Sequence, residues 1–185
     1  ISRCKEAGIK VIMITGDHGK TAEKIGAELD MGLNSVSAQE IGEMNIGELS
    51  SILEQTDIVY RATPADKLRI VRALKDHGYV VAMTGDGVND APAVKEADVG
   101  ISMGMMGTDV TREASDIVLT DDNFATIVNA VEEGRSLNSN IRKFLKYVLS
   151  GNLAEVILVG GASVSGLPIP LTPLQILWIN LIIEG

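Results

Sequence analysis

The sequence predicts an α/β domain built on a parallel, doubly wound sheet, followed by a helical hairpin long enough to enter a membrane. Three observations lead there. Short apolar, β-branched runs alternate with amphipathic segments, two of those runs end in the same Thr-Gly-Asp tripeptide, and nearly all charge stops before Val148. Strands that alternate with helices pair in parallel, and such sheets bind ligands beyond the carboxyl ends of their strands.

The elements follow in order. Ile9 to Ile14 reads as a strand closed by Thr15-Gly16-Asp17, and Lys20 to Leu29 has helical spacing through Ala22, Ile25, Ala27 and Leu29. Residues 30–50, with glycines at 32, 42 and 47, predict loop with at most one short helix ending in Leu49 to Leu53. Asp57 to Tyr60 is a second strand, and Pro64 opens a helix whose amphipathic part is Lys67 to Leu74. Tyr79 to Met83 is a third strand, ending in Thr84-Gly85-Asp86, with Asn89 to Ala97 helical behind it. Asp98 to Met103 and Asp116 to Leu119 complete four or five strands in all.

Composition narrows the function. With 185 residues and 45% hydrophobic content the chain can bury a core, so global disorder is excluded. A net charge of -9 argues against nucleic acid as a partner. The single cysteine, Cys4, builds neither a disulfide framework nor a thiolate zinc site and reads as a packing residue. His18 and His77 read as solvated, and Met103, Met105 and Met106 flank Gly104 in a loop.

The chemistry concentrates in Thr84-Gly85-Asp86-Gly87-Val88-Asn89-Asp90. Glycines permit a sharp turn at the strand end, and Asp86 and Asp90 bring two carboxylates to one cleft, a donor set suited to Mg2+ with a substrate phosphate. The same residues also suit a turn whose Asp and Asn only cap the next helix. Thr15-Gly16-Asp17 offers a hydroxyl and backbone N–H groups suited to phosphate oxygens. Lys67, at a helix start, is either a phosphoryl-neutralising cation or a surface lysine.

Taken together, residues 7–17, Ala62 to Lys67, Ala82 to Pro92, Asp121-Asp122-Asn123-Phe124 and Glu132-Glu133-Gly134-Arg135 resemble the second half of the phosphorylation domain of P-type cation-transporting ATPases, members of the haloacid dehalogenase superfamily. The resemblance implies a Rossmann-like parallel sheet. It also implies that Thr15, Gly16 and Asp17 hold the phosphoryl group of ATP origin, Lys67 neutralises it, Asp86 and Asp90 hold Mg2+, and Asn89 and Asp90 orient the site. The family's nucleophile is the aspartate of an upstream DKTGT motif, whereas the one Asp-Lys pair here, Asp66-Lys67, is followed by Leu68 and Arg69. The chain by itself is therefore expected to be inactive. Its expected partners are the nucleotide-binding and actuator domains and further membrane helices of a parent pump.

After Asn123, an expected N-cap, helical pattern runs to Gly134 and resumes from Arg135 to about Val164. Lys143 to Val164 is long enough for a ~30 Å hydrocarbon layer. Residues 165–173 form a turn with three prolines, and Leu174 begins a second apolar segment. The expected organisation is a sheet domain over residues 1–134, a stalk and first span over 135–164, a loop over 165–173 and the start of a second span over 174–185. Arg135, Arg142, Lys143 and Lys146 precede the first span, so the residues before it are expected in the cytoplasm of a multi-pass protein in a lipid bilayer. The chain opens in mid-pattern and closes inside an apolar run, which predicts a piece of a longer protein.

Asn152 and Glu155 share a helical face on the first span, and Asn180 and Glu184 repeat the arrangement on the second. An ionisable group at bilayer depth marks a site, and these oxygens suit a hard cation. Residues 152–155 and 171–181 are similar to the fifth and sixth membrane helices of the calcium-pump branch, which implies Ca2+ as the transported ion. Ile183 and Glu184 stand where that branch carries threonine and aspartate, so Na+ or another cation remains an alternative. From other classes, a soluble haloacid dehalogenase-like phosphatase half and a non-catalytic Mg2+-binding module also fit the α/β part.

Overall fold

The computed structural model describes residues 1–184, with side chains described through residue 182. The chain has two compact units, Ile1–Val128 and Asn129–Gly185.

The first unit begins with α1 (Ser2–Glu6), β1 (Met13–Ile14), α2 (Gly19–Glu28), β2 (Ser35–Ser37), α3 (Ala38–Gly42), α4 (Ile46–Leu53), β3 (Ile58–Tyr60) and α5 (Pro64–Asp76). It continues with β4 (Ala82–Gly85), α6 (Ala91–Glu96), β5 (Val99–Met103), α7 (Asp109–Ala114) and β6 (Ile117–Leu119). All pairing is parallel, but the strands form two three-stranded sheets, β1-β3-β2 and β4-β5-β6. The expected α/β alternation holds, with six strands among the described residues rather than four or five.

The first sheet carries a core of Ala38, Ile41, Leu49, Leu53, Val59, Ala62, Ile70 and Ala73, drawn from β3 and the helices around it. Residues 30–50 are more ordered than expected. They hold β2, α3 and most of α4, and both helices start with reciprocal caps: Ser37 with Glu40, and Asn45 with Glu48. Each cap satisfies amide groups at a helix start that have no partner inside the helix.

Helix α5 joins the two halves of this unit. Thr63 and Asp66 form a capping box at its start with Pro64 at the first helical position, so Asp66 is held by the Thr63 amide at 2.9 Å and hydroxyl at 2.7 Å. On one side Arg69 donates to the carbonyls of Ile41 and Gly42 at 2.8 and 2.9 Å. On the other side α5 packs on α6, where Arg72 reaches Glu96 at 2.9 Å and Lys75 reaches the Glu96 carbonyl at 2.6 Å.

Strand limits differ from the sequence reading in two places. Residues 9–12 lead into β1 without pairing, because β1 is matched only at Met13 and Ile14 to Ile58 and Val59 of β3. Strand β4 starts at Ala82 and takes in Thr84 and Gly85, paired with Ile101 and Ser102. The following helix begins at Ala91, after a turn that contains Asn89 and Asp90.

The expected interruption at Gly134 is absent: α8 runs from Phe124 to Val164, 41 residues, and all but its first five belong to the second unit. Glycine lowers helix propensity by only about 1 kcal/mol, which the flanking good helix formers offset. It is long and apolar enough to cross a membrane. Along it, Val148, Asn152, Glu155, Val159 and Ala162 are half-buried while the intervening residues are exposed, a single face in steps of four and three. Gly166 (φ +69°) ends the helix, and Thr172 caps α9 (Pro173–Glu184) through Gln175.

Candidate functional site

The turn after β4 is built around glycine. A Cβ at Gly85 would lie 2.5 Å from the Asp90 Cβ and 2.9 Å from Val94 Cγ2, so only glycine lets α6 approach the strand end this closely. That approach puts Asp90 at 6% exposure. Asp90 stands at the N-cap position of α6, yet its side chain makes no capping bond. It turns instead to Lys67, whose Nζ donates to Asp90 Oδ1 at 2.5 Å. The two side chains, Asp90 and Lys67, are 9% and 18% exposed, so this is a pair largely withdrawn from water. The capping alternative for Asp90 is thereby set aside, and Lys67 is not a solvated surface lysine.

Asp86 and Asn89 are exposed at the same strand end. Backbone and side-chain groups of the α7 segment fix this turn: the Thr108 amide donates to the Asp86 carbonyl at 3.1 Å, and the buried Thr111 hydroxyl donates to the Gly87 carbonyl at 2.9 Å. Arg112 holds the neighbouring loop through the carbonyls of Gly104 and Gly107, at 2.6 and 2.9 Å. Sequence reasoning missed Thr108, Thr111 and Arg112. Their one legible signal was Thr108 followed by an acidic first helical residue, Asp109.

The Thr15-Gly16-Asp17 turn lies at the end of β1 and is tied to the connection between β3 and α5. The Thr15 amide donates to the Val59 carbonyl and the Thr15 carbonyl accepts from the Ala62 amide, both at 2.9 Å. The Thr15 hydroxyl donates to Asp17 Oδ2 at 3.1 Å and accepts from the Asp17 amide at 3.2 Å. Arg61, with φ 55°, donates its amide to the Asp17 carbonyl at 3.0 Å and its guanidinium to His18 Nδ1 at 3.1 and 3.2 Å. A left-handed arginine has no sequence marker, which is why this closure was not foreseen. His77 also has partners, Ser50 at 3.2 Å and the Tyr79 ring stacked at 5.7 Å, and both histidines are exposed.

Three carboxylates of the β4-β5-β6 half are held in their charged form, Asp98 at the amino end of its sheet and Asp121 and Asp122 after β6. The Val81 amide, donating at 2.9 Å, holds Asp98 below the ordinary carboxylate range. The Thr126 hydroxyl at 2.6 Å does the same to Asp121. Partial burial pushes Asp122 up, but the amides of Met105 and Met106 at 3.0 and 2.7 Å outweigh it and leave the group lowered.

Among the described residues no three His, Cys, Asp or Glu side chains cluster as a metal site. Mg2+ needs fewer: one or two carboxylates, with waters and substrate oxygens completing the octahedron. The Asp86 and Asp90 carboxylates, four residues apart on one turn and the first of them exposed, supply that number. In the second unit Asn152, Glu155 and Asn180 are half-buried, while Glu184 lies outside the described side chains.

Parallel strands with this paired lysine and aspartate at their carboxyl ends define a class. Residues 1–98 match the haloacid dehalogenase-like hydrolases, and the chain belongs to that family. More narrowly, it is 50% identical over 188 residues to the calcium-transporting ATPase of Bacillus subtilis, covering 100% of this chain and 21% of that protein. It is 47% identical over 190 residues to calcium-transporting ATPase 1 of Saccharomyces cerevisiae, covering 100% of this chain and 20% of that one. A crystal structure of a zinc-transporting PIB-type ATPase superposes with a TM-score of 0.65 at 30% identity, over 85% of this chain and 22% of that one. The chain thus spans about a fifth of the curated relatives' length.

Proposed function

We propose that this chain handles the phosphoryl group and supplies part of the ion path in an ATP-driven cation pump of the P-type, with Ca2+ as the transported ion. The observation that carries the reading is the Lys67–Asp90 pair at the β4 strand end, where an N-cap aspartate is diverted from capping to a lysine. Similarity to calcium-transporting ATPases from end to end of the chain supports the choice of pump and ion.

In this reading Thr15 and Gly16 bind phosphoryl oxygens through a hydroxyl and backbone amides, and Asp17 fixes the Thr15 hydroxyl. Lys67 places a positive charge where the transferred group gains negative charge, and Asp90 orients that ammonium. Asp86, with Asp90 beside it, holds Mg2+, and Asn89 on the same turn orients the group being transferred. Bound there, Mg2+ neutralises charge on the phosphate oxygens of ATP and of the phosphorylated enzyme. The acceptor aspartate and the nucleotide-binding and actuator parts come from the rest of the pump.

The apolar part of α8 crosses the bilayer, with the residues before Lys146 on the cytoplasmic side, and α9 begins the return. A half-buried face that carries Asn152 and Glu155 within an apolar helix supports ion binding there, since an ionisable group at that depth costs about 2.5–3.5 kcal/mol to insert and so marks a functional position. Asn180 and Glu184 complete the oxygen set. The intact protein, reconstituted in lipid vesicles, tests the reading. ATP-driven uptake of Ca2+ supports it. Uptake of Na+ in place of Ca2+ overturns the ion assignment, and phosphate release with no dependence on any cation overturns the pump.

A further inference from the structure

The geometry points to Thr111 as a positioning residue for the Mg2+ turn, acting through the Gly87 carbonyl. This rests on the reading of Asp86 as the metal-holding carboxylate. Thr111 is wholly buried, and its hydroxyl lies 2.9 Å from the Gly87 oxygen. A carbonyl only accepts, so the Thr111 proton is committed to it, and the Thr108 hydroxyl, 2.8 Å away, donates in turn to Thr111.

The same Gly87 oxygen accepts the Asp90 amide at 2.9 Å, and the adjacent Asp86 carbonyl accepts the Thr108 amide at 3.1 Å. Both peptide oxygens that follow β4 are thus gripped by the α7 segment, while Lys67 reaches the turn from α5. Gly87 has no side chain to resist rotation, so the Thr111 bond fixes the Gly87–Val88 peptide and, with the Thr108 bond to the Asp86 carbonyl, holds the backbone on both sides of Gly87 that carries Asp86. Groups that orient a ligating residue from outside the coordination shell contribute to metal affinity on the order of 10-fold to 100-fold.

The experiment measures Mn2+ binding to the intact protein by electron paramagnetic resonance, with Asp86→Asn defining the fraction of binding that belongs to this turn. Thr111→Val keeps shape and removes the hydroxyl, and Thr111→Ser keeps the hydroxyl. The expected result is that Thr111→Val weakens that fraction about 10-fold, while Thr111→Ser stays within about twofold of wild type. If Asp86→Asn weakens Mn2+ binding and Thr111→Val does not, the role of Thr111 is wrong and the metal assignment stands. If Thr111→Ser weakens binding as much as Thr111→Val, packing and not the hydroxyl is responsible, and the inference falls. If Asp86→Asn removes no Mn2+ binding, the metal assignment fails and takes the inference with it.

Discussion

The Nζ of Lys67 lies 2.5 Å from Oδ1 of Asp90, so the helix after β3 and the turn after β4 meet through one largely buried ion pair. The two sheets share no strand pairing, and α5 against α6 is where the two halves of the α/β unit are joined. The pair therefore helps hold the two halves together.

Removing one partner leaves the other charge buried and alone. Lys67→Met is expected to destabilise the protein by about 3 kcal/mol, the low end for a broken buried pair because some water reaches the lysine. Combining it with Asp90→Asn is expected to recover much of that loss. Urea denaturation of the two single variants and the double variant measures the coupling.

Glycine at 85 is required by contact. Gly85→Ala is expected to cost about 1–3 kcal/mol, since the atoms it meets belong to the Cβ of Asp90 and the branch of Val94 and cannot swing away. Gly134 is the opposite case, an exposed helical position with nothing near its missing Cβ. Gly134→Ala is expected to stabilise by about 0.5–1 kcal/mol. Thermal denaturation of both variants checks the contrast.

The pH dependence follows from the lowered carboxylates. Glu96, held mainly by its bond from Arg72, and Asp98, Asp121 and Asp122 all bind protons less readily folded than unfolded. Their contribution is complete above the unfolded values of about 4 and disappears as pH falls through the lower folded values. Tyr79 has the opposite sign: its bond to Glu54 raises it, so its contribution is present below about pH 10 and is lost as pH rises further. Unfolding midpoints across pH are expected to fall at both extremes, with Asp121→Asn flattening the acid limb and Tyr79→Phe the alkaline one.

Glu155 is the one charged residue among the described side chains, those through 182, from 148 onward. Replacing it with leucine is expected to favour membrane insertion of α8 by about 2.5–3.5 kcal/mol while removing cation dependence. Glycosylation mapping of the inserted fraction reads the first effect, and phosphorylation assays read the second.

Much of this was legible in the sequence for physical reasons. The β-branched runs at 57–60, 98–103 and 116–119 stand against glycine and aspartate punctuation, so their strands emerged within a residue of their limits. Residues 30–50 were obscured because glycines 32, 42 and 47 suggested loop, while the reciprocal caps Ser37 with Glu40 and Asn45 with Glu48 went unread. Thr15, Lys67, Asp86 and Asp90 stood out through their tripeptides and helix starts, and the structure joins Lys67 directly to Asp90. Arg61 and Thr111 did not, because a left-handed arginine and a buried hydroxyl bonded 24 positions away leave no local pattern.

The most direct test of ATP-driven cation transport is formation of acid-stable phosphoenzyme from radiolabelled ATP in the intact protein, with and without Ca2+, in wild type and Glu155→Ala. Wild type is expected to be phosphorylated only when Ca2+ is present, and Glu155→Ala to lose that response. Equal phosphorylation with and without Ca2+ in wild type, or an unchanged Ca2+ response in Glu155→Ala, would contradict a Ca2+ pump that binds its ion at Glu155.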